Sequence, residues 1–143
     1  MKLISHRGNL TGPNLGLENK TSYILSAIEN KFDVEIDVWL RQGAIYLGHD
    51  EPQYLISKTF LDEYNSFLWC HAKNSEALSF LLENNYHCFW HQKDDYTITS
   101  KGFIWCYPKS EIVYNSICLF PETTKQNIFG CIGICSDYIQ SYR

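Results

Sequence analysis

The stretch EIDVWLRQGAIYLGHD, Glu35 to Asp50, decides how this chain folds. Side chains along a strand alternate between faces, so Glu35 and Asp37 point one way and Val34, Ile36 and Val38 the other. Two carboxylates therefore share one face of a strand whose β-branched neighbours mark it as buried. Arg41-Gln42-Gly43 reads as a tight turn, because glycine supplies the positive φ that a short hairpin needs, and Ala44 to Leu47 is strand-like again. With Gln42 and Gly43 as the central pair, Val38 faces Leu47 and Ile36 faces His49. That register returns His49 to the neighbourhood of both carboxylates.

Outward from this hairpin, apolar β-type runs recur at Lys2 to His6, Asp33 to Leu40, Phe67 to Ala72, Tyr86 to His91, Phe103 to Tyr107, Ser116 to Phe120 and Cys131 to Ser136. Helical periodicity fits between the earlier ones. Lys20 to Asn30 places Tyr23, Ile24, Ala27 and Ile28 on one face, and Ser75 to Asn84 does the same with Leu78, Leu81 and Leu82. Asn74 or Ser75 is the expected cap of the second, with Glu76 in its first turn. Shorter helices are predicted at Ser57 to Tyr64 and at Glu122 to Phe129, the latter closed by Gly130. Strands alternating with helices imply βα units and a parallel sheet covered on both faces. The C-terminal half has no room for full helices, since only QKDDYTITSKG separates His91 from Phe103 and only PKSEIVYN separates Tyr107 from Ser116. The expected fold is thus a single α/β domain over residues 1–143, with seven or eight mostly parallel strands and abbreviated C-terminal crossovers.

Composition narrows the function classes. Hydrophobic residues make up 45% and charged residues 20%, which is a globular profile, and the net charge of −4 comes without any Lys/Arg cluster. A dedicated nucleic-acid binder needs such a cluster for its phosphate contacts, so no nucleic-acid partner is expected. No run is long and apolar enough to span a bilayer, and MKLISHRGNL is not greasy like a signal peptide, so a cytoplasmic location is expected. The six cysteines, at 70, 88, 106, 118, 131 and 135, lie mostly inside apolar strand-like runs without CxxC pairs. They read as reduced core residues, and a Cys131–Cys135 disulfide is not expected.

Polar residues recur where predicted strands end: His6-Arg7, Glu35 and Asp37, His71 and Lys73, His91-Gln92, and Asp137. A parallel barrel or open α/β sheet gathers its site at that end, so these positions converge. The residue types suit one task. Paired carboxylates hold a hard divalent cation, Arg7 clamps a phosphate oxygen, and His6 and His49 exchange protons near neutral pH. His87 reads as structural. His91, Glu122 and Asp137 read first as structural too, with a pocket role as the lesser alternative. Trp69, Trp90, Trp105 and Tyr107 read first as core, although Trp105 and Tyr107 share a strand face near its end and can flank a small substrate pocket.

The elements ISHRG, LENK, EIDVWLRQGAIYLGHD and, more weakly, WCHAKNSEA and GICSDYI resemble, in order and spacing, the glycerophosphodiester phosphodiesterase family. Its pattern is HRG, ENT, E-x-D and HD, followed by an E-x-K strand. The resemblance implies a TIM-barrel fold of the phosphatidylinositol-phosphodiesterase type, here in a stripped-down version, because such barrels ordinarily take at least ~200 residues. It implies a metal-dependent hydrolase of a small phosphodiester, with His6 and His49 as the acid/base pair and Arg7 as a phosphate ligand. Glu35 and Asp37 become metal ligands, Lys73 a neutraliser of phosphate charge, and Glu18 and Asn19 braces behind the site. His71 stands where the family has a third metal-binding glutamate. Imidazole suits Mn²⁺ or Zn²⁺ better than Mg²⁺ or Ca²⁺, so the departure leaves the choice among these four cations open. The rival expectations are a phospholipase D-like lipid phosphodiester lyase and a catalytically weak phosphate-binding module.

Overall fold

The computed structural model describes residues 1–143. In chain order the elements are β1 (Lys2–His6), α1 (Thr21–Glu29), β2 (Asp33–Arg41), β3 (Ala44–Leu47), β4 (Tyr54–Ile56), α2 (Lys58–Tyr64), β5 (Leu68–Ala72), α3 (Ser75–Glu83), β6 (Cys88–Phe89), β7 (Tyr96–Ile98), β8 (Ile104–Cys106), β9 (Ser116–Leu119), α4 (Pro121–Thr124) and β10 (Gly133–Ser136). A short 3₁₀ helix, Ile139–Tyr142, follows.

Seven of these strands pair in parallel, in the spatial order β6, β5, β2, β1, β10, β9, β8. They are the seven apolar runs of the sequence. The sheet curls so that alternate residues of each strand face a common interior. Ile4, Trp69, Phe89, Trp105, Ile117, Leu119 and Cys135 form its apolar filling. No ladder joins β6 to β8. Their seam is spanned inside by Phe89 against Trp105, with ring centroids 4.8 Å apart. On its flank the Ser100 amide donates to the Cys88 carbonyl at 2.8 Å, and the Cys88 amide donates to Ser100 Oγ at 3.0 Å.

The outer face of the first half is covered by helices. Val34, Ile36 and Val38 of β2, with Cys70 and Ala72 of β5, pack against Ile24 and Ala27 of α1 and Ala77 and Leu81 of α3. Asn74 caps α3 by accepting from the Ala77 amide at 3.1 Å, and it exchanges hydrogen bonds with the backbone of Leu40, which pins the helix start to β2. Leu82, expected on the buried face of α3, is instead half exposed, because Ala77 and Leu81 already fill the contact with the sheet.

Several expectations are corrected. Beyond the seven parallel strands and the expected hairpin arm β3, two short strands were not foreseen: β4, antiparallel on β3, and β7, antiparallel on β8. Neither β4 nor β7 has the long apolar alternation that marks a strand in sequence. The predicted strand Tyr86 to His91 shrinks to Cys88–Phe89. The predicted helix Glu122 to Phe129 is a single turn, Pro121–Thr124, bounded by left-handed Phe120 and Lys125. Its two threonines are poor helix formers, and beyond the turn the Gln126 side chain ties the chain away from a helical path, its Nε2 donating to the Ser110 carbonyl at 2.6 Å. All six cysteines are free thiols. No helix is long and apolar enough to cross a membrane.

Candidate active site

The polar ends of the parallel strands meet at one mouth of the curled sheet. A cavity of about 140 Å³ opens there, walled on its polar side by His6, Arg7, Glu35, His49, His71 and His91 and on its apolar side by Phe89, Trp105, Tyr107, Leu119 and Phe120. A second hollow of about 260 Å³ adjoins it, sharing Arg7 and His49 and lined further by polar residues including Glu18, Asn19 and Gln53.

Local backbone geometry builds the first wall. After β1 the chain turns sharply through Arg7 and Gly8, both with positive φ, 55° and 94°. A Cβ on Gly8 would also lie 2.7 Å from the Tyr23 ring, so both conformation and space demand glycine there. The turn aims Arg7 inward, where its guanidinium sits between two carboxylates: Nη1 donates to Glu18 Oε2 at 3.2 Å, and Nε lies 2.9 Å from Asp37 Oδ2. Asn19, itself left-handed, donates from Nδ2 to Asp37 Oδ2 at 2.9 Å and accepts the Asp37 amide at 3.0 Å. Glu18 and Asn19 thus brace Arg7 and Asp37 from behind.

Glu35 and Asp37 are both buried and face inward from β2. Their environments differ. Asp37 is fully enclosed and does not reach the cavity wall, but it is surrounded by cations and donors. Burial alone would raise its pKa; the close approach of the His71 ring, the Arg7 charge and the Lys73 charge outweigh it and hold the carboxyl well below the usual range. Glu35 is poorly compensated. Burial first and the Asp37 charge second push its pKa up, against the opposing charges of His6, Arg7 and His71. Its Oε2 is buried without any hydrogen-bond donor, as is Asp37 Oδ1.

His71 follows from β5, whose register places it directly beside Asp37. Its Nε2 lies 3.4 Å from the His91 carbonyl, which leaves Nδ1 facing Asp37 Oδ1 at 3.3 Å and Glu35 Oε1 at 3.8 Å. Glu35, Asp37 and His71 each offer one ligand atom, all within 4.8 Å of one another. Two buried carboxylate oxygens lacking donors, next to an imidazole nitrogen whose partner nitrogen meets a backbone carbonyl, fit a divalent cation. Lys73 stands behind this group, its Nζ 3.7 Å from Asp37 Oδ1, and is not part of the cavity wall. Trp105 is 2% exposed and forms part of the cavity floor.

The two histidines of the expected pair are held differently. His6 Nδ1 donates to Asp137 Oδ1 at 2.6 Å, and its Nε2 lies 3.8 Å from Glu35 Oε2. Burial opposes the imidazolium, but the Asp137 hydrogen bond and the Glu35 charge outweigh it and raise its pKa. His49 is half exposed, paired with Asp50 at 2.8 Å. The β2–β3 ladder ends at Val38 and Leu47 rather than continuing to Ile36 and His49, because the chain bends at Gly48, whose missing Cβ makes room for the Glu51 carbonyl. His49 therefore reaches the cavity from its rim. Partial burial and the Arg7 charge push its pKa down.

Two residues in this network had no role assigned from the sequence. Asp137, one of the strand-end polar residues and read first as structural, directly follows β10 and orients His6. Buried Asn9 donates to both Glu18 Oε1 and Asp137 Oδ1, at 2.9 and 2.8 Å, joining the braces of Arg7 and His6, and nothing in its local sequence marks it. Glu122 faces elsewhere, accepting from Ser136 and Tyr142. His87 is structural, bonded to Thr99 Oγ1 at 2.8 Å below the cavity floor. Compared with protein-family models, with curated proteins and with solved structures, the chain finds no match.

Proposed function

We propose that this chain is a metal-dependent phosphodiester hydrolase of the glycerophosphodiester phosphodiesterase type, built on a compact, TIM-barrel-like (β/α) frame. The observation that carries this reading is the convergence of His6, Arg7, Glu35, His49 and His71 on one small cavity at the C-terminal ends of parallel strands. Fold alone would not license a function; the reading rests on this set of groups.

Glu35, Asp37 and His71 are the residues that would hold the cation, which when bound supplies charge neutralisation at the phosphoryl oxygens. The chain's own groups perform the rest. Arg7, fixed by Glu18 and Asp37, presents a permanent positive charge to the phosphoryl group. His49, with its lowered pKa, is neutral near pH 7 and accepts the proton of the attacking hydroxyl, either water or a neighbouring hydroxyl of the substrate. His6, whose charged form Asp137 favours, gives its Nε2 proton to the departing alkoxide as the P–O bond breaks. A lipid lyase is less well supported, because the adjoining hollow carries exposed polar residues, Asp50, Glu51 and Gln53, rather than an apolar rim.

Turnover of an aryl phosphodiester with Mn²⁺, Zn²⁺, Mg²⁺ and Ca²⁺ tests the proposal. Metal-dependent hydrolysis is expected, falling on the order of 10²–10⁴-fold in His6→Ala or His49→Ala with the fold retained. A wild type that binds phosphate without turnover under any metal would reduce the protein to a binding module. Undiminished activity in the double variant would place the chemistry elsewhere.

A further inference from the structure

We infer that His91 is a phosphoryl-binding residue, donating from Nδ1 to a substrate oxygen inside the small cavity. The inference rests on the phosphodiesterase reading and deepens it by adding a group from a different strand end. His91 follows β6, where inward alternation runs through His87, Phe89 and His91. Its ring lies flat on Tyr107, with centroids 3.4 Å apart and planes 17° from parallel. Its carbonyl meets His71 Nε2. Ring and backbone are both anchored, so the imidazole is preorganised.

Despite this anchoring, Nδ1 is buried and has no hydrogen-bond partner in the protein. A buried polar atom left unpaired is uncommon and calls for a partner. Of the other such atoms on the cavity-lining residues, Arg7 Nε already lies 2.9 Å from Asp37 Oδ2, which leaves Glu35 Oε2 and His91 Nδ1 as the two open atoms. One is an acceptor on a carboxylate; the other is a ring nitrogen able to donate. A cation beside Glu35 and an anionic oxygen beside His91 satisfy both together, which is the charge pattern of a metal–phosphoryl pair. His91 lies outside the group of ligand atoms formed by Glu35, Asp37 and His71, so the oxygen and not the cation is its partner.

The experiment uses the full chain with Mn²⁺, reading kcat and KM for an aryl phosphodiester, inhibition by inorganic phosphate, and Mn²⁺ affinity. His91→Phe keeps a ring on Tyr107 but removes the nitrogen; His91→Gln restores an N–H donor. The expected result is a rise of about 10–100-fold in KM and in the phosphate inhibition constant for His91→Phe, Mn²⁺ affinity unchanged, and partial recovery in His91→Gln. Unchanged phosphate affinity in both variants, with wild-type turnover intact, would overturn the inference alone and assign the nitrogen to a water. Loss of Mn²⁺ affinity in both would overturn it by making His91 a metal ligand. A wild type that neither turns over the diester nor binds phosphate would overturn the inference and the reading beneath it together.

Discussion

His6 Nδ1 and Asp137 Oδ1 stand 2.6 Å apart, joining the ends of the first and last parallel strands, which pair with one another in the sheet. The carboxylate fixes the ring so that Nε2 faces the cavity, and it favours the charged form of His6. Activity at saturating metal should therefore follow a bell in pH. His49, lowered from its ordinary value near 6.5, sets the acid limb, and His6, raised above it, sets the alkaline limb. In Asp137→Asn the acceptor charge is gone, so the His6 pKa falls and the alkaline limb moves to lower pH. Activity at neutral pH should drop on the order of 10-fold or more. A pH–rate profile with an unmoved alkaline limb would separate His6 from the acid role.

His87 provides a stability prediction independent of function. Burial, followed by the charges of Lys101 and Lys2, pushes its pKa down to about 4. The folded-state pKa is lower than the unfolded one, so the unfolded chain takes up a proton first as pH falls. The contribution is complete above roughly pH 6.5 and lost progressively toward pH 4. His6 acts in the opposite sense: its raised pKa gives stability at low pH that is lost as pH rises through the folded value. The difference between wild type and His87→Gln isolates the first effect. That difference should shift against the wild type by on the order of 1–2 kcal/mol between pH 7 and 4, discounting for solvent screening. Denaturant melts at the two pH values measure it, and a constant difference would refute the assignment.

The seven parallel strands were legible because each is a short apolar run between polar ends, and the hairpin register was legible because Gln42 and Gly43 both adopt positive φ. The short strands β4 and β7 were not. They are half-exposed edges recruited by pairing with β3 and β8, so tertiary contact and not local pattern makes them strands. The same distinction holds at the site. His6, Arg7, Glu35, Asp37, His49 and His71 announced themselves by residue type and position. Asn9 did not, because its importance lies in touching Glu18 and Asp137 at once, a bridge that only the closing of β10 beside β1 creates.

The last prediction concerns His71, where the ligand set departs from carboxylate. If its Nδ1 ligates, the site combines two hard oxygens with one imidazole and should favour Mn²⁺ or Zn²⁺ over Mg²⁺ or Ca²⁺. His71→Glu should reverse that order, since a third carboxylate suits the harder ions. His71→Ala should weaken Mn²⁺ binding by about 10–100-fold, as the loss of a direct ligand must cost at least what loss of an outer partner does. Asp37→Ala should abolish the metal response, but Asp37 also holds Arg7 and Asn19, so its effect mixes ligation with architecture. Glu35→Gln is the cleaner control. Glu35 Oε2 has no protein donor to lose, so that variant should bind metal poorly while melting no lower than the metal-free wild type. Calorimetric titrations of the four cations into wild type, His71→Ala and His71→Glu decide the matter. Equal affinities and an unchanged metal ranking in His71→Ala would remove His71 from the ligand set and leave the cation to Glu35, Asp37 and water.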